Sequence, residues 1–407
     1  MQQRLNIIWL VLFILTGVFC GIYFWFALFP GGVPAEASRY FDVQQITQAR
    51  DYHYPLRLSY ICNFVIQALV LAWFVFGRGG GLLIRWAKRL MGGNYSLSAL
   101  GFLGFLWLLL QIINVPFSYF NGYYWNHLWG FSTQSLASWG IDLLKSGALN
   151  FTMYGLGFLI LLGIINRWPR CWWLITSFLF SLWLVIQTFL WPVAVSPWFN
   201  EFAPVRDPQI TAMVMAISDK ADLVVEEILV MDASKRTTMA NAYFTGLGTT
   251  KRIVLYDTLL ENYPLAEIKM VVAHEIAHWK EGHIVKGLLA GMLGTFLLWG
   301  ILNFLLPRKA FMTPYPPESI AVILLFSLLI FFVGSPLQNY ISRGMEKEAD
   351  RVAIELTGDP QAAVQLQVDL AVKNMSDVAP APFIRWFGYS HPPALERIKA
   401  AEKTFPK

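Results

Sequence analysis

The chain has 407 residues, of which 56% are hydrophobic, 16% aromatic and only 14% charged. Soluble globular chains carry about 25% charged residues, so this composition argues against an ordinary soluble protein and indicates a large lipid-exposed surface. The net charge of +5 comes without a dense basic run interleaved with aromatic residues, so no nucleic-acid partner is expected.

Seven apolar stretches are long enough, or nearly so, to cross a membrane, which takes about 20 helical residues. They lie at approximately 7–29, 60–76, 97–116, 151–165, 172–195, 285–306 and 320–337. The first exceeds the apolar core of about 7–15 residues in a signal peptide, which favours a retained anchor. The sequence therefore predicts a multi-pass integral membrane protein in contact with the lipid bilayer, which in a prokaryote would be the cell membrane.

Two polar segments complete the chain and divide it into four predicted parts. The parts are a five-span membrane region at 1–195, a polar segment at 196–283, two further spans at 284–338 and a second polar segment at 339–407. Because two spans lie between them in this seven-span plan, both polar segments lie on one side of the membrane and can form one domain. Cys20, Cys62 and Cys171 fall inside apolar runs without a C-x-x-C pair, which predicts three small buried apolar residues.

Within the first polar segment, a β-hairpin precedes a helix. Residues 241–245 and 251–256 are strand-like and are joined by a glycine-containing turn. A helix with apolar residues at helical spacing begins near Pro264, which is favoured at the first helical position. A second soluble helix is predicted after the seventh span, with an apolar stripe over 341–356 and an end at Gly358.

The first of these helices carries an H-E-x-x-H motif, His274 to His278. Positions i and i+4 lie about 40° apart around a helix, so the two imidazoles can share a zinc ion at roughly 2 Å each. Glu275 projects beside them, where its carboxylate can take a proton from the attacking water. The alternative is a surface helix with two solvated histidines.

A catalytic zinc needs a third protein ligand and an open position. In the second soluble helix, Glu346 and Asp350 share one face at i, i+4 spacing, so Glu346 is the predicted ligand and Asp350 the partner that orients a ligand imidazole. An E-x-x-x-D pattern alone is usually a solvated charged face. Of the competing ligands, His283 would face away on a continuous helix, and Glu281 lies about 10 Å along the axis from His274.

Together these residues resemble the type 1 CAAX prenyl protease family, the zinc proteases that process farnesylated a-factor, and its shorter relative HtpX. The matching segments are Asn241-Ala-Tyr-Phe-Thr-Gly, Lys251-Arg-Ile-Val-Leu-Tyr-Asp-Thr-Leu-Leu, His274-Glu-Ile-Ala-His-Trp-Lys, Ser342-Arg-Gly-Met-Glu-Lys-Glu-Ala-Asp350 and Ser390-His-Pro-Pro-Ala-Leu-Glu-Arg-Ile398. The resemblance is close from about Asp232 onward, and further upstream it rests mainly on hydropathy. The seven-span plan fits the larger family and not HtpX.

The resemblance implies a mainly α fold: seven tilted transmembrane helices ringed around a large chamber. A gluzincin-like zinc protease domain with a small β-hairpin or sheet would cap one end. It also implies that Glu346 is the third ligand and that Asn241 and His391 face the scissile bond and stabilise the oxyanion. The edge strand that contains Asn241, Ala242 and Tyr243 would bind an extended substrate by β-augmentation.

The predicted function is that of an integral-membrane zinc metalloendopeptidase with one zinc ion and with Glu275 and His391 as catalytic residues. Its substrate would be a peptide or protein, prenylated or membrane-associated, cut C-terminal to or near a prenylated cysteine. The alternative is an HtpX-like quality-control protease without prenyl specificity. Charges at Lys269, Lys280 and Glu281 argue against an intramembrane protease, and Glu275 argues against a non-catalytic zinc-stabilised scaffold.

The side of the membrane that the zinc domain faces stays open. Nine basic residues in short loops lie opposite the zinc domain and four lie on its side. The positive-inside rule then puts the domain outside the cytoplasm, whereas the family resemblance implies the reverse.

Overall fold

The computed structural model describes residues 5–246, 251–306 and 314–404, which form helices and one small sheet. In chain order the helices are α1 Ile7–Leu28, α2 Val43–Phe76, α3 Gly79–Leu90, α4 Tyr95–Ser118, α5 Trp125–Leu128, α6 Leu136–Arg167, α7 Trp172–Leu190, α8 Pro208–Lys220, α9 Asp257–Asn262, α10 Leu265–Lys280, α11 His283–Leu305, α12 Ser319–Thr357, α13 Pro360–Lys373, α14 Pro382–Gly388 and α15 Ala394–Glu402. The strands are β1 Phe202–Pro204, β2 Glu227–Met231, β3 Ala242–Thr245 and β4 Arg252–Tyr256.

Seven helices in the described part of the chain are long and apolar enough to cross a membrane, which confirms the predicted number and order of spans. They are α1, α2, α4 with its continuation to Leu128, α6, α7 with its continuation to Trp198, α11 and α12. Several extend beyond the predicted apolar stretch because polar turns continue the helix. For example, α2 starts at Val43 and not near residue 60. At this start, Gln45 Oε1 accepts a hydrogen bond from the backbone N–H of Asp42 at 3.0 Å and caps the helix.

The spanning helices close a ring. Contacts run from α12 to α2, then to α4, α6, α7 and α11, and back to α12, while α1 packs on α2 and α12. In six of the seven spans, a third or less of the most apolar 18-residue segment is buried inside the protein. In α12, half of that segment is buried. Most spans therefore contact their neighbours over a small part of their surface and leave the rest uncovered by protein, as expected of helices with lipid on one side and a chamber on the other.

The cysteines do not lie in the core, so the prediction that all three are buried is wrong. Cys62 is exposed, Cys20 and Cys171 are partly exposed, and all three are free thiols. The physical reason is the ring: an apolar residue on a spanning helix is as well placed on an open face as in a seam.

The seventh span and the predicted second soluble helix form a single helix, α12, of 39 residues. The prediction of two separate helices is therefore wrong. No glycine or polar turn interrupts the chain between the two predicted segments, and Pro336 is accommodated inside the helix. The predicted end is confirmed, because Gly358 adopts a left-handed conformation with φ of +67° and caps α12.

In the domain formed by the two polar segments, α10 packs against α12, α13 and β3. The strand order is β1-β2-β4-β3, with β2 and β4 parallel and the other two pairs antiparallel. This arrangement confirms the two strands of the predicted hairpin, whose turn lies outside the described residues. It leaves β3 at the edge of the sheet. Pro264 precedes the first helical position of α10 and serves as its N-cap.

Candidate active site

One side of α10 builds the core of the domain formed by the two polar segments, and the other side presents two histidines. Val272 and Ile276 are fully buried in the cluster that α10 shares with α12 and β4. His274 and His278 lie on the other side, one turn apart, and their Nε2 atoms are 3.1 Å from each other. The predicted helix geometry of the motif is therefore present.

The third side chain at this point is Glu346, which arrives from α12. Its Oε2 lies 3.2 Å from His274 Nε2, and its Oε1 lies 3.5 Å from His278 Nε2. A tetrahedral ion with bonds of about 2.0–2.1 Å holds two ligand atoms about 3.4 Å apart, so these three side chains fit a divalent ion. Within the described ranges no fourth His, Cys, Asp or Glu joins this group, and Glu281 is not part of it.

Behind His274 lies a largely buried ion pair. Asp350 Oδ1 lies 3.0 Å from His274 Nδ1, the ring nitrogen that points away from Glu346. Arg397 makes a bidentate contact with the same carboxylate, with Nε 2.8 Å from Oδ2 and Nη2 2.5 Å from Oδ1. The guanidinium fixes the carboxylate, and the carboxylate in turn fixes the imidazole ring.

These acidic neighbours make the site attractive to a cation. Burial alone lowers the pKa of His274, but the hydrogen bonds of Asp350 and Glu346 outweigh burial and raise that pKa to about 9. A positive charge at this imidazole is therefore stabilised, either as a proton or as a bound metal ion. Burial raises the pKa of the neighbouring Glu275 above its ordinary value, while the two motif histidines lower it.

A second histidine contacts His278 from behind. The helix ends at Lys280, and Gly282, with φ of +65°, turns the chain so that α11 starts at His283. His283 is buried, with its Nδ1 2.8 Å from His278 Nδ1 and its Nε2 3.0 Å from Glu348 Oε2. Sequence reasoning placed His283 away from the site because it assumed one continuous helix.

A cavity of about 360 Å³ opens beside the motif. Glu275 lines it together with His274, and Asn241, Ala242 and His391 line it as well. Apolar side chains of α10, α12 and α13, among them Met270, Ile354 and Leu366, form much of the remaining wall. The predicted general base therefore lines a cavity, together with one of the two motif histidines.

The other predicted site residues lie at different distances from this space. His391 is mostly exposed, with its Nε2 3.3 Å from Glu346 Oε1. Asn241, immediately before β3, accepts a hydrogen bond from the backbone N–H of Ala242 at 2.9 Å. Tyr243 is not among the residues that line the cavity: it packs against the small cluster of Met231, Ala233 and Val254, and its ring contacts that of Tyr256.

Sequence reasoning assigned no role to Arg397, His283 or Glu348. Arg397 lies in the segment that carries His391, but nothing local shows which acid an arginine will meet. Glu348 lies two residues after Glu346 and would be read as a solvated charge. The one usable signal was Gly282, whose tolerance of a left-handed conformation permits the turn that brings His283 back.

Comparisons with known proteins agree with this geometry. The family described as "Peptidase family M48" matches residues 204–405, and the family described as "CAAX prenyl protease N-terminal, five membrane helices" matches residues 28–201. CAAX prenyl protease 1 of Saccharomyces cerevisiae is 32% identical over 75% of this chain and 72% of its own length. The uncharacterized metalloprotease YhfN of Bacillus subtilis is 28% identical over 96% of this chain and 95% of its own.

A solved structure shares the whole fold. The crystal structure of S. mikatae Ste24p superposes with a TM-score of 0.85 at 26% sequence identity, covering 98% of this chain and all of that one. Both the ring of spanning helices and the domain that carries the histidines are therefore held in common.

Proposed function

Since the chain belongs to the CAAX prenyl protease 1 family of membrane-embedded M48 metalloproteases, we propose that it is a zinc endopeptidase acting on peptides at or near a prenylated cysteine. His274, His278 and Glu346 would hold the zinc ion. The observation that carries the proposal is the convergence of these three side chains, from two helices, beside a cavity that Glu275 lines. When bound, zinc polarises the peptide carbonyl and makes water a stronger acid.

Glu275 is the proposed general base. Its carboxylate takes a proton from the attacking water and returns that proton to the leaving amine, so one group serves both halves of the reaction. The raised pKa that burial gives this side chain suits such a shuttle, because a stronger base takes the proton more readily.

Substrate alignment and charge stabilisation fall to residues around the cavity. The β3 strand is a sheet edge beside the site, so an extended peptide can pair with its free backbone groups. His391, close to Glu346, and Asn241, at the start of that edge, would oppose the charge that develops on the carbonyl oxygen.

Prenyl specificity is supported by the architecture and by the relatives. A C-terminal C-a-a-X substrate carries a long apolar chain on its cysteine, which prefers an apolar setting to water. A ring of membrane helices whose seventh member carries a metal ligand can receive the lipid and the peptide together. Several similar proteins, including those of yeast, rice and human, are named CAAX prenyl protease 1 or its homologue.

The test compares wild-type protein with Glu275→Gln on matched prenylated and plain peptides, with and without a zinc chelator. We expect wild type to cut the prenylated peptide, the chelator to abolish cleavage, and the Gln variant to lose at least about 100-fold in rate while it keeps its zinc. Full activity in the Gln variant, or none in zinc-loaded wild type on any peptide, would refute the enzyme assignment. Equal cleavage of both peptides would refute prenyl specificity and favour an HtpX-like quality-control role.

A further inference from the structure

The proposed metal ligand His278 is supported by a line of two side chains that ends at the protein surface. His283 is next to it, with a side chain only 5% exposed, and Glu348 follows at 36% exposure. At the outer end, Lys286 Nζ lies 3.3 Å from the same Glu348 oxygen. A buried imidazole is thus held between a metal ligand and a carboxylate that is itself paired with a lysine.

The contacts determine which nitrogen carries each hydrogen. His278 directs Nε2 toward His274 and Glu346, so that nitrogen is the one available to an ion. A neutral imidazole bound through Nε2 carries its hydrogen on Nδ1. His278 Nδ1 must therefore donate to His283 Nδ1, 2.8 Å away, and His283 must donate its own Nε2–H to the Glu348 carboxylate.

Resting on the proposed metal centre, we infer that His283 and Glu348 are positioning residues that fix the ring orientation and tautomer of His278. The two imidazole ligands are then supported alike: Asp350 contacts His274 directly, whereas Glu348 acts on His278 through His283. Loss of such a supporting partner typically costs about 10- to 100-fold in metal affinity or activity. Replacing His283 by a side chain that cannot accept this hydrogen bond should therefore speed zinc release by about that factor.

The experiment measures zinc release from the full-length protein in detergent into a coloured chelator. His283→Leu fills the buried space but offers no acceptor, and it should release zinc about 10- to 100-fold faster than wild type. His283→Asn places an amide oxygen near the position of the lost Nδ1, so it should recover much of the slow release. Melting of the zinc-free proteins is recorded in parallel, because a purely structural role would lower stability and leave zinc release unchanged.

A double-mutant cycle tests the order of the line. Because Glu348 acts only through His283, Glu348→Gln should speed release in the wild-type background and have no further effect beside His283→Leu. Glu355→Gln removes an exposed carboxylate from the same helix and serves as the matched control. Wild-type release from His283→Leu, or additive effects in the cycle, would overturn the inference. Wild-type protein that binds no zinc would instead refute the metal centre itself.

Discussion

Replacing Arg397 by leucine tests the charge arrangement behind His274. The guanidinium meets Asp350 in two hydrogen bonds, and the two side chains are 14% and 20% exposed. Removing one member of a fully buried ion pair costs about 3–5 kcal/mol, because the other charge stays buried without its partner. Since both groups retain some contact with solvent, we expect Arg397→Leu to lower the free energy of unfolding by about 2–3 kcal/mol.

Two assays separate stability from metal retention. Denaturant unfolding of the zinc-free protein in detergent gives the first, and zinc release into a chelator gives the second, which should be about 10- to 100-fold faster in Arg397→Leu. Adding Asp350→Asn removes the lone charge and should restore part of the stability, while zinc retention stays reduced because an amide is a weaker acceptor than a carboxylate.

Arg397→Lys is the control, since it keeps the charge but cannot make two parallel hydrogen bonds. It should fall between wild type and Arg397→Leu in both assays. If Arg397→Leu were as stable as wild type and held zinc as long, the reasoning that links Arg397 through Asp350 to His274 would be refuted.

Three further predictions concern stability. Burial and the nearby Asp369 raise the pKa of Glu267 to about 7, so the folded state loses stability as the pH rises from about 4.5 through 7. Glu267→Gln should remove this loss and melt higher than wild type at pH 8 but not at pH 5, a relative gain of about 1–2 kcal/mol. Gly358→Ala places a side chain at φ of +67° and should cost about 1–2 kcal/mol in denaturant unfolding, although nothing lies within 4 Å of the added carbon. Arg57→Met breaks the buried pair with Asp377, with side chains 8% and 1% exposed, and should cost about 3–5 kcal/mol in the same measurement.

Each of these has a control or a result that contradicts it. The same melting difference between Glu267→Gln and wild type at both pH values would show that Glu267 does not titrate in this range. Gly344→Ala, inside α12 with open space around it, should be neutral or stabilising by about 0.5–1 kcal/mol. If Gly358→Ala and Gly344→Ala changed the free energy of unfolding equally, the left-handed conformation of Gly358 would not be the reason that alanine is unfavourable there. For Arg57, a loss below about 1 kcal/mol would contradict the buried-pair estimate.

Local patterns in the sequence were sufficient for the elements whose cause is local. The spacing of His274 and His278, the strand-like runs at β3 and β4, and the left-handed stop at Gly358 each depend on a few neighbouring residues. Span number followed from hydropathy alone, because a membrane demands length and apolarity whatever the neighbours are.

Features that depend on distant parts of the chain could not be predicted from the sequence. The parallel pairing of β2 with β4 needs a crossover that leaves no local signature. Continuity of α12 was missed because a change from apolar to polar composition was interpreted as a boundary, whereas backbone hydrogen bonding continues through that change and past Pro336. The meeting of Arg397 with Asp350, and of His283 with Glu348, depends on how separate helices approach each other.

The continuity of α12 has a mechanical consequence. Its 39 residues make a rod of about 58 Å, which is apolar at one end and carries Glu346 toward the other. Because Pro336 allows the helix to bend, the rigid arm is measured from Pro336 to Glu346; it is about 15 Å long, so a 5° change in tilt displaces the ligand by about 1.3 Å. Because α10 packs against α12, the two histidines would move with Glu346. A bilayer that is too thin or too thick for the spans is one influence on their tilt, so a change in bilayer thickness would move the three side chains together and leave their mutual distances unchanged.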